Sequence, residues 1–162
     1  MMGCGALGGV NIIDTESGAE KQQLRHQTAD YAGGVDAVAW APCSRRLAAG
    51  MMYGDSHQPT VVVWDVRHAA PELFFPIGSG QKSASGLGES TTSLAWSPDG
   101  SQLAVGLEGG TLQLFASNSG QRLREIRAAQ GEYCVYAFSP DWRLVAGGCQ
   151  PRFDAPGVKP KP

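Results

Sequence analysis

The 162-residue sequence predicts an all-β chain of four-stranded antiparallel blades, and three observations carry that expectation. The tetrapeptide Ala39-Trp40-Ala41-Pro42 returns as Ala95-Trp96-Ser97-Pro98 and again as Ala137-Phe138-Ser139-Pro140. Four or five residues after its proline, each copy leads into a small-residue run: Leu47-Ala48-Ala49-Gly50, Leu103-Ala104-Val105-Gly106 and Leu144-Val145-Ala146-Gly147. The step from Trp96 to Phe138 is 42 residues, within the ~40–45 of a blade whose four strands lie side by side around an axis. Such a repeat makes the blade the structural unit and implies a β-propeller segment. Its ring is incomplete, because too few blades are present to close it.

Each element follows from period-2 patterning and from turn residues between the apolar runs. Residues 2–27 read as a partial blade holding strands b, c and d. Gly8 to Ile13 matches Gly109 to Leu114 without a gap, the backward extension places Met2 to Gly5 on Leu103 to Gly106, and Lys21 to Gln27 supplies strand d. Residues 35–77 read as a full blade: strand a at Val35–Ala41, a Pro42-Cys43-Ser44 turn, b at Arg46–Met52, c at Thr60–Val66 and d at Glu72–Ile77. The β-branched run TVVVWDV marks strand c as buried on both faces. Residues 91–127 form the next blade, with strands at Thr91–Ser97, Ser101–Gly106, Thr111–Ala116 and Arg122–Arg127. Its turns at Asp99-Gly100, Gly109-Gly110 and Asn118-Ser119-Gly120 hold residues that adopt positive φ at low cost. Residues 133–148 form a partial a–b blade, Tyr133–Ser139 with Arg143–Gly148. Residues 1–148 thus read as a propeller segment that starts and ends inside a blade, and the Pro- and Lys-containing stretch 149–162 is expected to be a disordered tail.

Composition narrows the function classes. Twenty-two glycines with 17% charged residues suit short strands and tight turns. A net charge of −2 without like-charge runs gives no nucleic-acid footprint and no membrane-surface patch. No apolar run approaches a membrane span, and the Gly-rich N-terminus lacks the basic region of a signal peptide. Cys4, Cys43, Cys134 and Cys149 show neither CxxC pairing nor paired histidines. They read as unconnected thiols in a reducing compartment, against zinc ligation or disulfides as the other readings. The expected location is the cytoplasm, with the nucleus as the alternative.

The order of signals "VAWAP…RRLAAG…VVVWDV" and "LAWSPDGSQLAVG…GGTLQLF…SGQRLREI" resembles the WD-repeat family of β-propellers over about residues 8–148. Trp64-Asp65 stands at the family's namesake dipeptide, and Ser97-Pro98-Asp99-Gly100 is a turn typical of it. The resemblance implies a scaffold that binds proteins or peptides and seldom catalyses. The stretch "LAVGLEGGTLQLF…QRLR" is also similar, over a single blade, to fizzy-type activators of a ubiquitin ligase. Departures are plain: no unit has the family's Gly-His before strand a, Phe115-Ala116 replaces Trp-Asp, and the last unit lacks strand c. The family's His–Ser–Trp–Asp side-chain network therefore cannot form in full.

Function is expected where the repeat is interrupted. Trp40 to Trp96 spans 56 residues, 14 more than the next step: five lie between strands b and c, nine between d and the next a. In an up-down meander both connections emerge at one end, so the insertions decorate one face, a common binding face of repeat proteins. Tyr53, Asp55, His57 and Gln58 from the first insertion, and the Gly78–Ser90 loop, are the candidate contacts with a protein or peptide. Trp142, in a turn without strand neighbours, is a further candidate. Trp40, Trp64 and Trp96 read as blade-to-blade packing.

No catalytic constellation and no metal or cofactor site is predicted. Asp55-x-His57 lacks a second nearby histidine, Ser56 lacks a nucleophile elbow, and the glycines at 3–9 precede a strand and carry no phosphate-loop lysine. Two other classes remain as alternatives: a propeller-type hydrolase or lactonase with a central metal site, for which strand a starts offer only Asp36 and Glu132, and a truncated, non-functional gene remnant. By strand count, the terminal partial blades make one composite blade. The segment is then expected to belong to a longer propeller or to complete a six-bladed ring as a homodimer.

Overall fold

The computed structural model describes residues 9–25, 34–52, 59–78, 90–127 and 133–150. Twelve strands build four antiparallel sheets among these residues. β1 (Gly9–Ile13) and β2 (Glu20–Arg25) form a pair. β3 (Val35–Trp40), β4 (Arg46–Met52), β5 (Pro59–Asp65) and β6 (Ala70–Pro76) form one four-stranded blade. β7 (Thr91–Trp96), β8 (Gln102–Leu107), β9 (Thr111–Ala116) and β10 (Arg122–Arg127) form another. β11 (Tyr133–Phe138) and β12 (Val145–Gln150) form the last pair. The all-β blade segment expected from the repeat is what the chain folds into. The proposed strand over Met2 to Gly5 lies outside the described residues, as does most of the predicted tail.

The full blades are made by alternation. On β4 and β5, Leu47, Ala49, Met51, Val62 and Trp64 point to one face and pack with Leu24, Val10 and Ile12 of the β1–β2 pair. Ala48, Val61, Val63, Phe75 and Ile77 point to the other and meet Trp96, Leu103, Val105, Leu107 and Phe115 of the next blade. β5 is therefore buried on both faces, as its β-branched run requires. Each large apolar side chain removed from water this way contributes roughly 1.5–3 kcal/mol.

The repeat is visible in register as well as in sequence. Trp40 pairs with Leu47, Trp96 with Leu103 and Phe138 with Val145. The last equivalence corrects the sequence alignment by one residue: Val145 takes the Leu47 place, Gly148 takes the place of Gly50 and Gly106, and Leu144 stays in the turn. Both full blades carry a bulge at the start of strand a, at Val35/Ala37 and Thr91/Ser93. β11–β12 has none. Cys134, at the place of the bulged Asp36 and Thr92, instead faces Cys149 directly, and the two form a disulfide.

That bond corrects the expectation of unconnected thiols for Cys134 and Cys149, while Cys43 is free. The geometry explains the pairing: both cysteines lie the same distance from the Pro140–Arg143 turn of one hairpin. β12 also runs to Gln150, so Cys149 and Gln150 belong to the sheet and not to a tail.

Candidate partner-binding face

Strand direction sorts the connections onto two ends. The a–b and c–d turns lie at one, the turn end; the b–c and d–a connections lie at the other, the loop end. The turn end is closed by local hydrogen bonds. In the Ser97–Ser101 turn, the Asp99 carboxylate accepts from the Ser97 hydroxyl at 2.6 Å and from the Ser101 N–H at 3.0 Å. Asp141 repeats this with Ser139 and the Arg143 N–H. These donors hold the Asp99 carboxyl down at about 2, the Ser97 hydroxyl being the largest cause. Cys43 occupies the corresponding place in the first blade, and the Arg45 N–H in turn lowers its thiol.

The Trp64-Asp65 dipeptide is engaged structurally. Trp64 is fully buried with its Nε1 lacking a hydrogen-bond partner among the described residues, which fits the expected loss of the His–Ser–Trp–Asp network. Asp65 is buried and accepts from Arg45 Nε at 3.0 Å, Arg67 Nη2 at 2.8 Å and the Arg67 N–H at 2.9 Å. His68 Nδ1 stands 3.5 Å away. The Arg45 guanidinium thus ties the a–b turn to Asp65, while that of Arg67 closes the c–d turn on the same carboxylate.

The blades are joined by side chains that reach across. Trp96 Nε1 donates to the Ala39 carbonyl at 3.0 Å, and the Arg46 guanidinium lies 5.2 Å above the Trp96 ring. Arg46 also donates to Ser117 O at 2.8 Å and to Glu72 at 3.1 Å. Arg46 carried no motif in the sequence; its role becomes visible only once two blades lie side by side.

At the loop end, two contacts fix the roots of the long d–a connection. The Gly78 N–H donates to Gln113 Oε1 at 3.0 Å, and Gln113 Nε2 donates to Glu125 at 2.8 Å. The Glu108 N–H donates to the Ser90 carbonyl at 3.0 Å. Gln113 is fully buried with its amide satisfied: the oxygen accepts from the Gly78 N–H, and the NH2 donates to Glu125, which also pairs with Arg122. A lone Gln within the apolar run Thr111-Leu112-Gln113-Leu114-Phe115 is the sequence signal that could have marked it. Nearby, desolvation pushes the Asp36 carboxyl up; the charge of Glu108 adds to the rise and the Thr91 N–H opposes it.

Tyr53, Asp55, His57 and Gln58 lie outside the described residues, as do 79–89, while the roots Gly78 and Ser90 are placed at this end. Trp142 is not brought together with them. It sits in the a–b turn of β11–β12 at the opposite end, and its ring stacks on Phe138 with centroids 4.0 Å apart. The expectation that it lacks strand neighbours is corrected by that stack. Trp64 and Trp96 are buried as blade packing requires, whereas Trp40 is 48% exposed. Among the described residues, no group of three or more His, Cys, Asp or Glu is arranged to hold a metal ion, and no helix is long and apolar enough to cross a membrane.

Comparisons with known proteins align with this geometry. Residues 61–143, about half of the chain, match the family model described as the anaphase-promoting complex subunit 4 WD40 domain. Coronin-7 of Homo sapiens is 35% identical over 112 residues, covering 65% of this chain and 11% of that protein. Coronin-7 of Bos taurus is 30% identical over 105 residues, covering 62% of this chain and 10% of that protein. The chain spans about a tenth of the length of the curated relatives it matches.

Proposed function

Because this chain belongs to the WD-repeat β-propeller family, we propose that it serves as a non-catalytic scaffold that captures a protein or peptide partner on its loop end. The observation that carries this reading is the anchoring of Gly78 by Gln113 and of Ser90 by Glu108. A long connection leaves one packed blade after β6 and enters the next at β7 from two fixed points, the arrangement by which rigid scaffolds present variable recognition segments. The matched family is named for a subunit of a multi-protein complex, which accords with partner binding. In this reading Tyr53, Asp55, His57 and Gln58, from the b–c connection between β4 and β5, are the further contacts.

Replacing residues 55–58 with a Gly-Ser run of equal length tests the reading. Partners recovered by quantitative pull-down should be lost while the circular dichroism spectrum and melting temperature stay unchanged. An unchanged partner set would reject it. Stoichiometric calcium or zinc in the purified protein would instead favour the propeller-hydrolase class.

A further inference from the structure

Among the described residues the start of strand a is written three times, and one copy differs from the other two. On β3, Val35 pairs with Met51 and Ala37 with Gly50, which leaves Asp36 bulged between them. On β7, Thr91 pairs with Leu107 and Ser93 with Gly106, which leaves Thr92 bulged. Such a bulge sets two residues of one strand against one of its partner. Asp36 and Thr92 differ in chemistry and still bulge at the same place, so the bulge belongs to the backbone of the repeat. On β11 the ladder runs straight: Tyr133 faces Gln150, Cys134 faces Cys149 and Val135 faces Gly148.

The difference decides which way a side chain faces. The bulged Asp36 turns towards the following blade, where its carboxylate accepts the Thr91 N–H. Cys134 keeps the alternation of a regular strand. It therefore shares the face of Tyr136, whose ring lies against Gly106 of the preceding blade, and it is fully buried. The disulfide needs this arrangement, because two cysteines whose Cβ vectors point to opposite faces cannot be joined. Bond and bulge therefore exclude each other at Cys134.

We propose that the Cys134–Cys149 bond is a redox switch of strand register: oxidised, it holds β11 straight, and reduced, it releases β11 into the bulge of β3 and β7. In the reduced register Tyr133 pairs with Cys149, Cys134 and Val135 together oppose Gly148, and the Cys134 side chain leaves the face it shares with Tyr136. Val135 to Phe138 keep their partners, so the change is confined to the loop end of the hairpin. A dithiol supplies the two electrons. Its first thiolate attacks one sulfur of the bond, forming a mixed disulfide and releasing the other cysteine as a thiolate. Its second thiolate displaces the first cysteine, which leaves Cys134 and Cys149 as thiols carrying the dithiol's two protons and the dithiol as a disulfide. β11 packs against β7 and against the Glu108–Gly110 turn, whose Glu108 N–H holds the Ser90 carbonyl. The switch thereby reaches one root of the d–a connection. It rests on the register of one hairpin and its neighbour, and stands whether or not the loop end captures a partner.

NMR on the isotope-labelled 162-residue chain, before and after dithiothreitol, tests it. Backbone contacts between Tyr133 and Gln150 should be lost on reduction and replaced by contacts between Tyr133 and Cys149, while those between Val135 and Gly148 persist. Exchange of the Glu108 amide with solvent should quicken, and oxidised glutathione should restore the first pattern. Cys134→Thr, which gives β11 the residue that β7 carries at this place, should show the reduced pattern with and without dithiothreitol. Four results would each overturn the proposal: a bond that dithiothreitol leaves intact in the folded chain, a reduced chain that keeps Tyr133 against Gln150, loss of the Val135–Gly148 contacts on reduction, or a Glu108 amide indifferent to it.

Discussion

Asp36 and Asp99 sit at opposite ends of the blades and are pushed in opposite directions. Asp99 is lowered from 3.8 to about 2 by the Ser97 and Ser101 donors. Its contribution to stability is therefore present above the ordinary carboxylate range and is lost as pH falls from about 4 towards about 2. Asp99→Asn should lower the melting temperature at pH 7, with the difference vanishing near pH 2. Asp36 is raised, mainly by desolvation, so the fold favours its protonated form and that stabilisation is lost as pH rises through the raised value. Asp36→Asn should raise the melting temperature at pH 7 and change nothing at pH 3. Melts at both pH values check the pair; equal signs would contradict the assignment.

Ser44, Ala69 and Trp142 adopt positive φ. Ser44 and Trp142 occupy the place of Gly100, and Ala69 that of Gly18 and Gly120. Ser44→Gly and Ala69→Gly should each stabilise by about 0.5–1 kcal/mol in denaturant unfolding, because only glycine takes this conformation without steric cost. A loss of stability in both would mean that their side chains contribute more than the backbone conformation costs.

At the scale of the element, strands and turns were legible because each was written several times. Pro-Asp-Gly and Gly-Gly turns, the β-branched run of β5 and the repeated aromatic all placed strands within a few residues of where they fold. What the sequence hid were relations between segments. Leu144 looks like the Leu47 equivalent, and only the pairing of Phe138 with Val145 shows that it is not. The Cys134–Cys149 bond follows from the same register and was not evident from sequence spacing. Arg46 and Gln113 act across blade boundaries, which local patterning cannot encode. The bond closes a segment of 15 residues, for which chain entropy gives up to about 3 kcal/mol. A reducing agent should therefore lower the melting temperature of the wild type and leave the Cys134→Ser, Cys149→Ser double variant unaffected. A wild type insensitive to reduction would contradict a structural role for the bond.

At the scale of the molecule, the two ends of the blades are built differently. The turn end is occupied by its own chain: Asp65 with Arg45 and Arg67, Asp99 and Asp141 with their serines, Trp142 with Phe138. The loop end is where the repeat is interrupted and where Gln113 and Glu108 fix the roots of the longest connection. The candidate contacts 53–58 were legible only as an excess of residues over the repeat, and their side-chain arrangement lies outside the described residues. The most direct measurement compares the two ends in one pull-down series on the full chain. Replacing 55–58 and 79–89 with Gly-Ser runs should abolish partner capture, while Arg67→Ser, His68→Ser and Trp142→Gly at the turn end should leave it intact. Capture that survives the loop-end replacements and is lost with the turn-end ones would contradict the account.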